Sequence, residues 1–181
     1  MADSDHAGAG AWRWYLLATL VLAADQLSKL AASGCLEYEQ PWRVLAFLDL
    51  TLHHNSGAAF SFLSGAGGWQ RWLLSGLAVA VSALLLQWLR RLPPARRLLA
   101  AGLALVLGGA LGNLVDRLLH GYVVDFISVH YRDWYFPTFN VADAAISVGA
   151  ALVIIDSLFE GRAATAAPGD GAGDRPAREV E

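Results

Sequence analysis

Residues 90–119 read RRLPPARRLLAAGLALVLGGALGNLVDRLL, and this stretch decides the architecture. From Leu98 to Leu119 it is apolar except for Asn113, Asp116 and Arg117 near its far end. An apolar run of about 20 residues crosses a hydrocarbon core roughly 30 Å thick. Arg90, Arg91, Arg96 and Arg97 crowd the segment just before it. Basic residues in a short loop stay on the cytoplasmic side, so this loop faces inward. Outward from the 98–119 window, three more windows have the length and polarity of a span: 14–32, 69–89 and 141–159. The long loop (33–68) and the medium loop (120–140) then lie outside, and both termini are cytoplasmic. Arg13, Arg162, Arg175 and Arg178 agree with that orientation.

Composition fits the same class. Of 181 residues, 56% are hydrophobic and 16% charged, whereas soluble domains carry about 25% charged residues. Mean hydropathy is +0.42, and seven Trp suit a chain with two lipid–water boundaries to anchor. The net charge is −3, and the arginines sit at segment ends without forming a basic face, which excludes nucleic acid as a partner. A single cysteine, Cys35, allows neither an internal disulfide nor a multi-Cys metal site. The first apolar window precedes Ala32-Ser33-Gly34-Cys35, which superficially resembles a lipoprotein cleavage box. Asp25 and Lys29 interrupt that window and three apolar segments follow it, so it reads as a retained helix.

The expected fold class is an all-α integral membrane protein with four transmembrane helices and a small β element in the outer loops. In 47–53, Leu48, Leu50 and Leu52 alternate with Asp49, Thr51 and His53, the period of a half-buried strand. The β-branched segment 123–129 is its expected partner. Residues 1–12 read as a disordered cytoplasmic N-terminus, 13–160 as the transmembrane domain, and 161–181, rich in Ala, Gly, Pro and charge, as a disordered cytoplasmic tail. Ala104, Gly108 and Gly112, four residues apart, let a neighbouring helix approach closely.

Ionisable groups within spans are costly and mark functional sites. Here they are Asp25, Asp116, Arg117 and Asp143, joined by Asn113 and Asn140. At ~1.5 Å per residue, Asp25 lies roughly 18 Å from the cytoplasmic edge, and Asn113 and Asp116 roughly 24–28 Å. Asp143 heads the fourth span and Asp125 lies in the outer loop before it, so all of these groups fall in the outer half of the membrane. Asn113, Asp116 and Arg117 share one helical face, Asn140 and Asp143 can share another, and Asp25 and Lys29 are spaced for a local pair. Ion pairs that lock the helices, with Arg117 neutralising an Asp, would account for Asp25, Lys29, Asp116 and Arg117. Asp125 and Asp143 flank a segment that returns the chain to the membrane, where the two can meet.

Two close carboxylates share one proton, because both cannot ionise together. The ionised one takes a proton from water; the other hydrogen-bonds the scissile carbonyl and then protonates the leaving amine. Other chemistries fit poorly. His53-His54 point to opposite faces of a strand and no His-Glu-x-x-His occurs, so no metal site is expected. Ser28-Lys29 are adjacent, a poor geometry for a Ser/Lys dyad. Two non-proteolytic readings compete. A small ion-coupled membrane transporter calls for repeats and broken helices near midplane, and a membrane scaffold calls for polar groups that only hold helices together.

Five segments in order resemble the lipoprotein signal peptidases, or signal peptidase II. They are Asp25-Gln26-x-x-Lys29, Asn55-Ser56-Gly57-Ala58-Ala59-Phe60, Gly109-Ala110-Leu111-Gly112-Asn113-x-x-Asp116-Arg117, Val123-Val124-Asp125-Phe126 and Phe139-Asn140-x-Ala142-Asp143. The resemblance covers about 14–160. It implies that Asp125 and Asp143 are the catalytic pair of an aspartic endopeptidase. It also implies that Asp25, Lys29, Asn55, Gly57, Asn113, Asp116, Arg117 and Asn140 hold the site or the substrate, with no cofactor or metal. The implied substrate is a prolipoprotein whose lipobox Cys carries diacylglyceryl, cut on the N-terminal side of that Cys. The implied location is the bacterial inner membrane, with the site near the periplasmic face, lipid as surroundings and the protein a monomer. The outer β element is expected beside the substrate entrance.

Overall fold

The computed structural model describes residues 11–57 and 68–165. Four helices and four strands follow in the order α1 (Trp12–Cys35), β1 (Trp42–Leu45), β2 (Leu48–Asn55), α2 (Trp69–Arg91), α3 (Arg97–Leu119), β3 (Val123–Tyr131), β4 (Trp134–Tyr135) and α4 (Val141–Thr165). All four helices are long and apolar enough to cross a membrane. They begin or end a few residues outside the apolar windows, because a helix continues past the hydrocarbon until its backbone finds other partners. At the C-terminal end, α4 runs to Thr165, so 161–165 is helical where a disordered tail was expected. The expectations for residues 1–10 and 166–181 lie outside the described residues, as does the Ala58–Ala59–Phe60 end of the second motif.

Helix α3 is the axis of the bundle. Most of it is buried, while α1, α2 and α4 leave most of their surfaces exposed, and each of the three packs chiefly on α3. Exposed leucines on α1 and α2 need no explanation in a medium as apolar as they are. Toward the basic loop, Ala18 of α1, Leu85 and Leu89 of α2, and Leu99, Ala100, Leu103 and Leu107 of α3 form a continuous buried cluster. Arg96, just before α3, closes that end on α4 through an ion pair with Asp156.

Small residues set the helix spacing on two faces of α3. A Cβ on Gly108 would stand 2.6 Å from the Ala18 carbonyl oxygen of α1, and one on Gly112 would meet the Asp25 carboxylate. On a second, adjacent face a Cβ on Gly102 would stand 2.8 Å from the Gly149 carbonyl oxygen of α4, and one on Gly109 would strike that of Ala142. The expected small-residue face of Gly108 and Gly112 is therefore the α1 contact; the α4 contact uses a second one.

The strands form one antiparallel sheet in the order β1-β2-β3-β4. The expected pairing of the two outer segments is present: His53 stands opposite Asp125 and Asn55 opposite Val123. The buried face differs from the alternation, since Asp49 and Thr51 are buried while Leu48 and Leu50 are only half-buried. Asp49 turns inward because the His130 imidazole and the Arg43 guanidinium lie 3.3 and 3.4 Å from its carboxylate. A register shift between Leu50 and His53 then brings Thr51 and Leu52 inward together.

Gly109→Ala forces its new methyl against backbone, so it should lower stability by about 1–3 kcal/mol. Gly76→Ala on α2 meets nothing within 4 Å and should leave the melting temperature in detergent unchanged or slightly raised.

Candidate active site

The site grows from one buried ammonium. Lys29 of α1 is 3% exposed and Asp25, one turn earlier, is wholly buried. The Lys29 Nζ lies 2.9 Å from Asp25 Oδ2 and 2.8 Å from Asp116 Oδ2 of α3. Its third hydrogen goes to Asn113 Oδ1 at 3.1 Å. An ammonium has three donors and no acceptor, so Lys29 is saturated. Gln26 ties the same two carboxylates together, its Nε2 donating to Asp25 Oδ2 (3.2 Å), Asp116 Oδ1 (3.0 Å) and the Gly112 carbonyl (3.2 Å).

Each of these carboxylates also holds the backbone of a distant element. Asp25 Oδ1 accepts the Ala142 N–H at 2.9 Å, and Asp116 Oδ2 accepts the Val124 N–H at 3.0 Å. Ala142 immediately precedes Asp143, and Val124 immediately precedes Asp125. The Lys29 cluster thus sets the position of the chain just ahead of both candidate acids.

Asp143 sits in the first turn of α4, in a capping box with Asn140. The Asp143 N–H donates to Asn140 Oδ1 at 2.9 Å, and the Asn140 N–H reaches back to Asp143 Oδ2 at 3.4 Å. The Asn140 Nδ2 meanwhile points at Asp125 Oδ1 (2.7 Å), the Val124 carbonyl (3.2 Å) and Asn113 Oδ1 (3.2 Å). Asn113 Nδ2 donates to Asp143 Oδ1 at 2.7 Å. From the sheet, Asn55 Nδ2 donates to Asp125 Oδ2 at 3.1 Å, while its Oδ1 accepts the Gly57 N–H at 3.0 Å. One asparagine, Asn140, therefore touches both Asp125 and Asp143.

Both carboxylates line a cavity of about 490 Å³ with Asn55, Asn113 and Arg117. Its remaining wall is mostly apolar, formed by Phe136, Pro137, Phe139 and, along α4, Ala144, Ile146 and Val148. The wall before α4 is anchored to β3, because the Phe139 carbonyl accepts the Phe126 and Ile127 N–H groups at 3.1 and 2.8 Å. In this setting Asp125 holds its proton up to about 7, first because it is buried and second because Asp143 is near. Hydrogen bonds from Asn55 and Asn140 and the charge of Lys29 pull the other way.

All ten residues singled out by the sequence fall in this one region, but two details change. Arg117 is not the cation that neutralises the buried acids: Lys29 bridges both Asp25 and Asp116, while Arg117 donates at 3.2 Å to the carbonyls of Asn113 and Gly57. Nor does the β element only flank the site, since β2 and β3 carry Asn55 and Asp125 into it. Gln26, given no role by the sequence reading, belongs to the core of the network. The capping box was visible in principle, because Asn140-x-x-Asp143 directly precedes an apolar run.

Known proteins resemble this chain in sequence and fold. A family model described as signal peptidase (SPase) II matches residues 17–159. A lipoprotein signal peptidase of Teredinibacter turnerae is 55% identical over 82% of this chain and 89% of its own, and one of Acinetobacter baylyi is 53% identical over 81% and 82%. A bacterial membrane enzyme solved by the in meso method superposes with a TM-score of 0.76 at 28% identity, covering 93% of this chain and 94% of that one. With the family model spanning nearly the whole bundle and relatives above half identity, the chain belongs to the signal peptidase II family.

Proposed function

We propose that the protein is the aspartic endopeptidase that removes the signal peptide from diacylglyceryl-modified prolipoproteins, with Asp125 and Asp143 as the catalytic pair. The family supplies the coarser part: a multi-pass bacterial membrane protease acting on prolipoprotein signal peptides. A transporter finds no support among these relatives, whose names are those of peptidases. One observation carries the finer part. Two carboxylates from different elements, β3 and α4, line a single cavity and are joined through the Asn140 side chain.

The chemistry follows from that pairing. One proton is shared by the two acids. The ionised carboxylate takes a proton from a water held between them as the water oxygen attacks the scissile carbonyl. The protonated carboxyl donates to the carbonyl oxygen as it becomes tetrahedral, and a proton then passes to the departing amine as the C–N bond breaks. The amide N–H groups of Asn55, Asn113 and Asn140 supply directed donors to the carboxylates without adding a charge. Apolar side chains along the first turns of α4 suit a substrate that arrives with its signal helix and acyl chains still in lipid. With the arginine-rich loop inside, the cavity lies toward the periplasmic face, at a level water can reach.

Asp125→Asn and Asp143→Asn should each reduce cleavage of a purified lipidated prolipoprotein by about 10²–10⁴-fold or more while leaving the melting temperature within a few degrees of wild type. Turnover persisting in either variant would sink the pair. Because Asp125 keeps its proton to about 7, kcat/KM should fall as pH rises above that value, tenfold per unit once the shared proton is lost; a rate still climbing at pH 9 contradicts the assignment. An unlipidated prolipoprotein should be cleaved much more slowly than its lipidated form in a side-by-side gel assay.

A further inference from the structure

The Asn113 and Asn140 side chains are carboxamides, and each works only one way round. With their N–H ends toward the acids, they donate to Asp143 and Asp125; reversed, each would present a carbonyl oxygen to a carboxylate. The two ends of a carboxamide have nearly the same size, so packing does not choose between them and the hydrogen-bond partners must.

Lys29 makes that choice for Asn113. Its ammonium can only donate, and the atom of Asn113 facing it, at 3.1 Å, is therefore Oδ1. The Asn113 N–H end is then left for Asp143, at 2.7 Å. The same Asn113 Oδ1 also faces Asn140 Nδ2 at 3.2 Å, which makes that side of Asn140 a donor as well. That agrees with the backbone, because the Val124 carbonyl accepts from Asn140 Nδ2 and the Asp143 N–H donates to its Oδ1, which already turns Nδ2 toward Asp125. Asn140 is wholly buried and Asn113 is 7% exposed, so little water can substitute for a missing partner. The three hydrogens of Lys29 are spent on Asp25, Asp116 and Asn113, so beside its charge, which acts on Asp125 through space, its hydrogen-bonding influence on the acids passes through these side chains.

We propose that Lys29 is a positioning residue that fixes the orientation of the Asn113 carboxamide, and through it directs a donor onto Asp143, one carboxylate of the peptidase pair. The inference rests on the proposed function and adds to it an origin for the order of the site. Without Lys29, only the Asn140 Nδ2 at 3.2 Å still holds the Asn113 oxygen, and Asn113 can turn that oxygen toward Asp143, an arrangement satisfied only when that carboxyl is protonated. The pair then holds its protons to higher pH, and the active singly protonated form appears later on the acid side.

The test measures kcat and KM against pH for cleavage of a lipidated prolipoprotein by the full-length protein in detergent. Wild type and Asp125→Asn come first: an active wild type and an inactive variant establish the peptidase reading independently of Lys29. Lys29→Met should then move the acid limb of kcat up by one pH unit or more with KM changed less than threefold. A purely structural role would instead lower kcat equally at every pH and leave the limb in place, which overturns the proposal. Removing the lysine leaves two buried carboxylates unbalanced, so a charge-balanced partner, Lys29→Met with Asp116→Asn, is measured beside it. This double variant has the same net charge as wild type in the cluster but lacks the donor to Asn113. Its acid limb should still move up from the wild-type position, though less than that of Lys29→Met, which also loses the charge; a limb at the wild-type position would mean that charge alone matters and overturns the proposal. In an Asn113→Ala background, Lys29→Met should cause a smaller shift, that of the lost charge alone, since coupled residues are non-additive. An undiminished shift there would show that Lys29 acts without Asn113, and equally overturns it.

Discussion

The structure depends on a cation shared by two acids where water is scarce. An unpaired charge in such surroundings costs several kcal/mol, so the Lys29 ammonium, Asp25 and Asp116 cannot be stable separately. Their mutual need joins α1 to α3. Each carboxylate has a lone pair to spare after meeting the lysine, and the spare ones accept backbone N–H groups at Ala142 and Val124. A requirement for charge balance is thereby converted into a geometric constraint on the two chain segments that deliver Asp143 and Asp125.

Close helix contact makes this cluster possible. Asp25 lies where a side chain on Gly112 would be, and Ala142 lies where one on Gly109 would be. With any larger residue at these positions the helices would stand farther apart, and the hydrogen bonds between them, near 3 Å, would open. The glycines of α3 are thus part of the site although none carries a functional group. The peripheral helices lean on α3 more than on one another, which leaves the outer flank of α4 exposed beside the cavity.

Much of this was legible in the chain itself, for identifiable reasons. The four helices follow from apolar length, and the β2–β3 pairing from alternation and β-branching. The Asp25–Lys29 pair follows from its spacing on one helix. The second partner of Lys29, Asp116, could not be read, because it depends on the register between α1 and α3 that the glycine contacts set. The buried face of β2 was misread for a similar reason: Asp49 is drawn inward by His130, which is far away in sequence and adjacent only once β3 is paired. Arg117 was expected to neutralise an Asp, yet it donates hydrogen bonds to two carbonyls, those of Asn113 and Gly57. Local spacing reveals partners on one element; partners across elements wait for the packing to be known.

The capping of α4 bears on how the molecule is made. Asn140 and Asp143 open the fourth helix, whereas Asn55, Asn113, Asp116 and Asp125 all come earlier. A nascent chain with only three helices in the bilayer would hold one acid of the proposed pair and no asparagine between them. On the proposed mechanism, both acids come together only once α4 docks against α3 and its first turn winds at Asn140; a chain lacking that helix would lack the proposed pair.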